Sequence, residues 1–152
     1  MNTGRRTFLV SSLAAVASRA ASRSANDRIR VAIVGLRGRG RDLIKGFNEI
    51  QNQNVEIAAF CDVDQAVMRQ RAADFEKDTK LRPVLLDDMR RAMDDKSIDA
   101  IAFATPNHWH ALGTIWACQA GKDVYCEKPG THNFWEGLQM QKAADNYSYQ
   151  SR

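Results

Sequence analysis

From residue 29 onward the chain alternates short apolar, β-branched runs with longer stretches of helical periodicity, the order expected of βαβ units around a parallel sheet. Arg30-Val-Ala-Ile-Val34, bounded by Gly35, reads as a buried first strand. Leu43, Ile44, Phe47 and Ile50 mark one face of the helix after it. Residues 55–60 read as a second strand ending at Cys61-Asp62, followed by a helix over about 65–77 that buries Val67, Met68, Ala72 and Phe75. A weaker strand at 83–86 and a short helix at 88–95, with Met89 and Met93 inward, come next. Residues 98–104 form another strand, broken at Thr105-Pro106 because proline cannot continue the ladder. A helix over about 109–120 stops at Gly121, a C′ residue. Residues 122–126 are a short strand, Glu127-Lys128-Pro129-Gly130 a turn, and a last helix starts near Asn133, an N-cap, and runs toward Tyr147. The fold class is α/β, a doubly wound parallel sheet in one domain of residues 29–152.

Residues 1–28 stand apart from that fold. Gly4-Arg5-Arg6-Thr7 leads into an apolar run from Phe8 to Ala17 and then small residues, Ser18-Arg19-Ala20-Ala21-Ser22. This is the order of a signal peptide, and the adjacent arginines favour the twin-arginine route over general secretion, with cleavage after Ala20. The expected location is the periplasm or cell exterior, or the cytoplasm if the leader does not function. The competing reading is a disordered or amphipathic arm with a chance Arg-Arg pair. Ten apolar residues fall well short of the roughly 20 that span a bilayer.

The leader also accounts for the charge. The chain carries 22 Lys and Arg against 18 Asp and Glu, a formal +4. Arg5, Arg6 and Arg19 supply three of these charges with no acid among them, so the rest of the chain is nearly neutral. Beyond the leader the dense basic cluster is Arg37, Arg39 and Arg41, interrupted by Asp42, and a phosphate-binding turn explains it more economically than nucleic acid does. Cys61, Cys118 and Cys126 form no CxxC pair and read as small buried hydrophobes rather than a zinc or disulfide framework.

Three motifs fall at strand ends. Gly35-Leu-Arg37-Gly38-Arg39-Gly40 follows a strand and opens a helix, where missing Cβ atoms let the backbone approach a pyrophosphate at the helix N-terminus. The usual G-x-G-x-x-G spacing wants glycine at 35, 37 and 40; position 37 is Arg. Asp62, 22 residues past Gly40, is placed to bind ribose hydroxyls and to repel a 2′-phosphate, which favours NAD over NADP. Asp62 and Asp64 compete for the cap of the next helix. Ala104-Thr105-Pro106-Asn107-His108-Trp109-His110 offers polar groups to a nicotinamide ring or its ribose, and His-x-His without a third ligand is weak as a metal site. In Glu127-Lys128-Pro129 the lysine is placed to polarise a substrate hydroxyl, against the default of a solvated turn. A methyltransferase would use the glycine loop and Asp62 but gives no role to Glu127-Lys128-Pro129.

In this order the motifs resemble the Gfo/Idh/MocA family, named for glucose-fructose oxidoreductase, inositol dehydrogenase and a rhizopine catabolism protein. The likeness covers about Arg30 to Tyr147 and includes Cys61-Asp62-Val-Asp64, Gly121-Lys-Asp-Val and Cys126-Glu-Lys-Pro129. It implies a Rossmann fold and hydride transfer between NAD(P) and a sugar, polyol or related alcohol. It gives Gly35, Gly38 and Gly40, with Arg37 and Arg39 beside them, the pyrophosphate turn, and Asp62 the adenine ribose. Thr105, Pro106, Asn107 and His110 fall on the nicotinamide side, Glu127 on its ribose, and Lys128 on the reacting hydroxyl as the catalytic residue. Members with twin-arginine leaders load cofactor before export.

Two departures qualify that likeness. Arg37 replaces the second glycine. The family also continues past this point into a further strand and a second α/β domain bearing a catalytic histidine, a role His108, His110 and His132 do not inherit. The expectation is a domain lacking its last strand and the substrate domain, with an open sheet edge that favours a homo-oligomer and with turnover only when a substrate domain is supplied. The alternative is a non-catalytic nucleotide-binding remnant or interaction module.

Overall fold

The computed structural model describes residues 28–148, so the leader reading lies outside the described residues. Five strands, β1 (Ile29–Val34), β2 (Val55–Cys61), β3 (Val84–Leu86), β4 (Ala100–Phe103) and β5 (Asp123–Cys126), pair in parallel in the order β3-β2-β1-β4-β5. Between them run α1 (Arg39–Glu49), α2 (Gln65–Thr79), α3 (Met89–Asp94) and α4 (His110–Gln119), and α5 (Phe134–Ser148) follows β5. The chain builds outward from β1 to β3, then crosses back to lay β4 against the other side of β1. That reversal places the switch point between β1 and β4, where open parallel sheets bind ligands beyond their carboxyl ends.

The strand side chains sort by period two. Val31 and Ile33 face one layer with Leu43 and Ile44 of α1 and Met68 and Phe75 of α2. Ala32 and Val34 face the other with Ala92 and Met93 of α3 and Ala117 of α4. Helices cover both faces, which is why β1 and β2 read as unbroken apolar runs. The β1–β2 register slips after Val31↔Ile57, pairing Ala32 with Ala59, and Ala58 and Ala59 consequently face the same layer, as a β-bulge requires. Phe60 meets Phe75 edge to face, centroids 5.5 Å apart, fixing α2 on the sheet.

The helix boundaries follow their caps. Gly121 is the C′ residue of α4, at φ 70°, its amide bonded to the Cys118 carbonyl. Asn133 Oδ1 accepts from the Glu136 amide at 2.9 Å and opens α5. The strand expected over 98–104 is shorter, because Ile98 turns into the core and its carbonyl, with that of Asp95, accepts from the buried Lys122 ammonium at 2.7 and 2.6 Å. Lys122 therefore precedes β5 rather than starting it. No helix is long and apolar enough to cross a membrane among the described residues.

Candidate functional site

The turn after β1 needs its glycines for two different reasons. Gly35 sits at φ 85°, and a Cβ there would lie 2.7 Å from the backbone of Ala104. Gly40 sits against Gly35 itself, its Cβ position 1.8 Å from the Gly35 carbonyl oxygen. Strand, turn and helix are thus pressed backbone to backbone, and β4 is drawn against them. Gly38 carries the second positive φ, 41°, with nothing within 4 Å of a Cβ position. The unusual backbone falls on 38 and not on 37, so Arg37 occupies the customary second-glycine position without a left-handed φ.

Asp62 and Asp64 divide the roles that the sequence left open. Asp64 caps α2, its Oδ1 accepting from the Ala66 and Val67 amides at 3.0 and 3.1 Å. Asp62 is not the cap. Its Oδ2 accepts from the Leu36 amide at 2.8 Å and its Oδ1 from the Asp64 amide at 2.9 Å, tying the end of β2 to the glycine turn.

The other two motifs lie at the ends of β4 and β5 and are joined to the first. Arg39 Nε donates to Glu127 Oε1 at 2.7 Å, and the Tyr125 hydroxyl donates to the same oxygen at 2.8 Å. Glu127 is buried, and the Arg39 guanidinium, then the Tyr125 hydroxyl, hold its carboxyl below the usual range. His110, also buried, opens α4 with Nδ1 at 2.7 Å from the Pro129 carbonyl and Nε2 at 2.9 Å from the Thr105 carbonyl. It pins the two strand-end loops together. Pro106 and Asn107 start the short 3₁₀ turn that leads into α4, the Trp109 amide bonding to the Pro106 carbonyl. Lys128 is exposed beside Glu127 at the carboxyl edge of the sheet.

Gly35, Gly40, Asp62, Thr105, His110 and Glu127 are therefore brought into one connected cluster by contacts spanning β1, β2, β4 and β5. Tyr125 is the residue that sequence reasoning missed; its i, i+2 relation to Glu127, one residue past the end of β5, was the available signal. Two observations fit the cluster to a dinucleotide: the open space over Gly38 at a helix N-terminus, and the buried Thr105 Oγ1, which has no hydrogen-bond partner among the described residues.

Fold and site together define a Rossmann dinucleotide-binding domain. The oxidoreductase family with NAD-binding Rossmann fold, Gfo/Idh/MocA, matches residues 29–150, and the chain belongs to that family. A glycosyl hydrolase family 109 protein of Stenotrophomonas maltophilia is 33% identical over 134 residues, 81% of this chain and 29% of the relative. Among solved structures, the WlbA dehydrogenase from Bordetella pertussis in complex with NADH and UDP-GlcNAcA superimposes with a TM-score of 0.68 at 25% identity, over 80% of this chain and 35% of that one. An NAD-binding oxidoreductase from Klebsiella pneumoniae gives a TM-score of 0.70 at 25% identity, over 80% and 32%. The chain spans about a quarter to a third of the length of the curated relatives it matches.

Proposed function

We propose that this chain provides the cofactor half of an NAD-linked oxidoreductase acting on a sugar, polyol or related alcohol. The observation that carries the reading is the joining of three sequence-distant motifs at one sheet edge: Arg39 to Glu127, and His110 to both Thr105 and Pro129. NAD, when bound, supplies the hydride acceptor. Gly35, Gly38 and Gly40, flanked by Arg37 and Arg39, cradle the pyrophosphate, and Asp62 takes the adenine ribose. Thr105, Pro106, Asn107 and His110 shape the nicotinamide side, and Glu127 takes the second ribose. Lys128 donates a hydrogen bond from Nζ to the substrate hydroxyl oxygen and polarises it. A carbohydrate substrate is supported by the UDP-GlcNAcA of the WlbA complex and by the glycosyl hydrolase name of the relatives.

Titrating the purified chain with NADH while following nicotinamide fluorescence tests the reading. A saturable change is expected; its absence in a folded sample would sink it. The leader reading extends the proposal to export by the twin-arginine route after cofactor loading. Changing Arg5 and Arg6 together to Lys should retain the protein in the cytoplasmic fraction, and undiminished export of that variant would overturn it.

A further inference from the structure

The adenine-ribose end of the site holds an ion pair that dinucleotide binding as such does not require. Asp62 is fixed by the Leu36 and Asp64 amides at the carboxyl end of β2, where an acidic residue takes ribose hydroxyls. Arg37 reaches across from the glycine turn, and its Nη2 donates to Asp64 Oδ2 in an ion pair. Asp64 thus holds α2 with one oxygen and Arg37 with the other. Its carboxyl lies below the ordinary range, chiefly through the Val67 amide and then through Arg37, so it is ionised at neutral pH. Arg71, also at this edge, is engaged by the Leu36 carbonyl at 3.3 Å and by Asp74 at 3.4 Å.

In a dinucleotide site an arginine near the ribose carboxylate can accommodate a 2′-phosphate. The ion pair with Asp64 opposes that role for Arg37. Three carboxylates, Asp62, Asp64 and Asp74, against two guanidiniums, Arg37 and Arg71, leave this end of the site with one net negative charge, and Nη2 of Arg37 is engaged by Asp64. We propose that Asp64 is a specificity-determining residue: by holding Arg37 it keeps the adenine-ribose end negative and closed to a 2′-phosphate, so that the chain takes NAD and turns away NADP. The inference rests on the NAD-binding reading above and assigns its cofactor selectivity to a residue that contacts the helix cap rather than the ribose.

The test compares dissociation constants for NADH and NADPH by fluorescence titration of the chain and three variants. Asp64→Asn keeps an oxygen for the α2 cap but releases Arg37. It should tighten NADPH about tenfold, the size of one charge-assisted hydrogen bond, while NADH changes about twofold or less. Adding Arg37→Gln to Asp64→Asn should abolish the gain. Arg37→Gln alone leaves the α2 cap untouched and unscreens both carboxylates, so it should widen the preference for NADH. An Asp64→Asn protein that binds NADH normally with an unchanged NADH-to-NADPH ratio overturns the proposal, as does an Arg37→Gln protein whose preference is unchanged or narrower. A folded parent that binds neither nucleotide overturns the underlying reading instead, and this inference with it.

Discussion

Glu127 shows how much of the site rests on single residues. Its carboxylate is buried yet accepts from Arg39 and Tyr125, which hold its pKa below the usual 4.5. A carboxyl with a lowered folded-state pKa contributes stability that is complete above its unfolded value and lost as pH falls through the folded one. The parent should therefore be more stable than Glu127→Gln at neutral pH, with the advantage shrinking once the pH drops below 4.5, as urea midpoints across that range would report. An advantage independent of pH would show that packing and not charge carries it. The glycines make a sharper pair. Gly40→Ala drives a Cβ into the Gly35 carbonyl at 1.8 Å, a backbone clash with no side chain to yield, and should cost more than about 4 kcal/mol in denaturant titrations. Gly38→Ala has open space around its Cβ but a backbone at φ 41°, ψ −111°, outside the left-handed helical region, so about 1–3 kcal/mol of backbone strain is expected.

At the scale of elements, most of the fold was legible because each element announces itself locally. Runs such as Val31–Val34 are apolar on both faces, Asn133 and Gly121 carry their own capping chemistry, and Pro106 opens the turn that follows β4. The bulge at Ala58–Ala59 was not legible, since alanines fit either face and only pairing with β1 selects one. Nor was the loss of Ile98 from its strand, which depends on Lys122 reaching its carbonyl from 24 residues away. The candidate site divides in the same way. Its residues were visible as motifs at strand ends, but the bonds from Arg39 to Glu127 and from His110 to Pro129 exist only once β4 and β5 lie beside β1. The choice of Asp64 as cap likewise waited on an extended backbone at 64 and two amides within reach. Close packing of α4 on β4 has a test of its own. A Cβ at Gly113 would lie 2.8 Å from the ring of Phe103, which is fully buried and has no room to retreat. Gly113→Ala should cost about 1–3 kcal/mol by overpacking while NADH affinity is largely kept, because the His110 ring at the helix start is held between the Thr105 and Pro129 carbonyls. Loss of affinity in step with stability would mean that α4 moves as one body with the site.

Across the whole molecule, the proposed binding edge is assembled from the ends of four strands, so a ligand spanning it should tie together strand-end loops that are otherwise joined by a few side chains. The glycine turn and Asp62 belong to β1 and β2, whereas Thr105, His110 and Glu127 belong to β4 and β5, with the switch point between them. A ligand that binds only the folded state raises stability by mass action, about 2.7 kcal/mol at 100 times its dissociation constant. For a domain of this size that corresponds to a rise in Tm of roughly 5–10 °C with NADH. AMP at the same multiple of its own dissociation constant should give the same rise, because mass action counts saturation and not contacts. The two ligands must therefore be told apart by where protection appears. Hydrogen exchange with NADH should slow amides at the start of α1 and also in 105–110 and 127–130, while AMP should slow the α1 and β2 side alone. Equal protection of the β4–β5 loops by AMP would show that Arg39–Glu127 and the sheet already transmit order across the switch point, leaving the nicotinamide half no separate work to do in closing the edge.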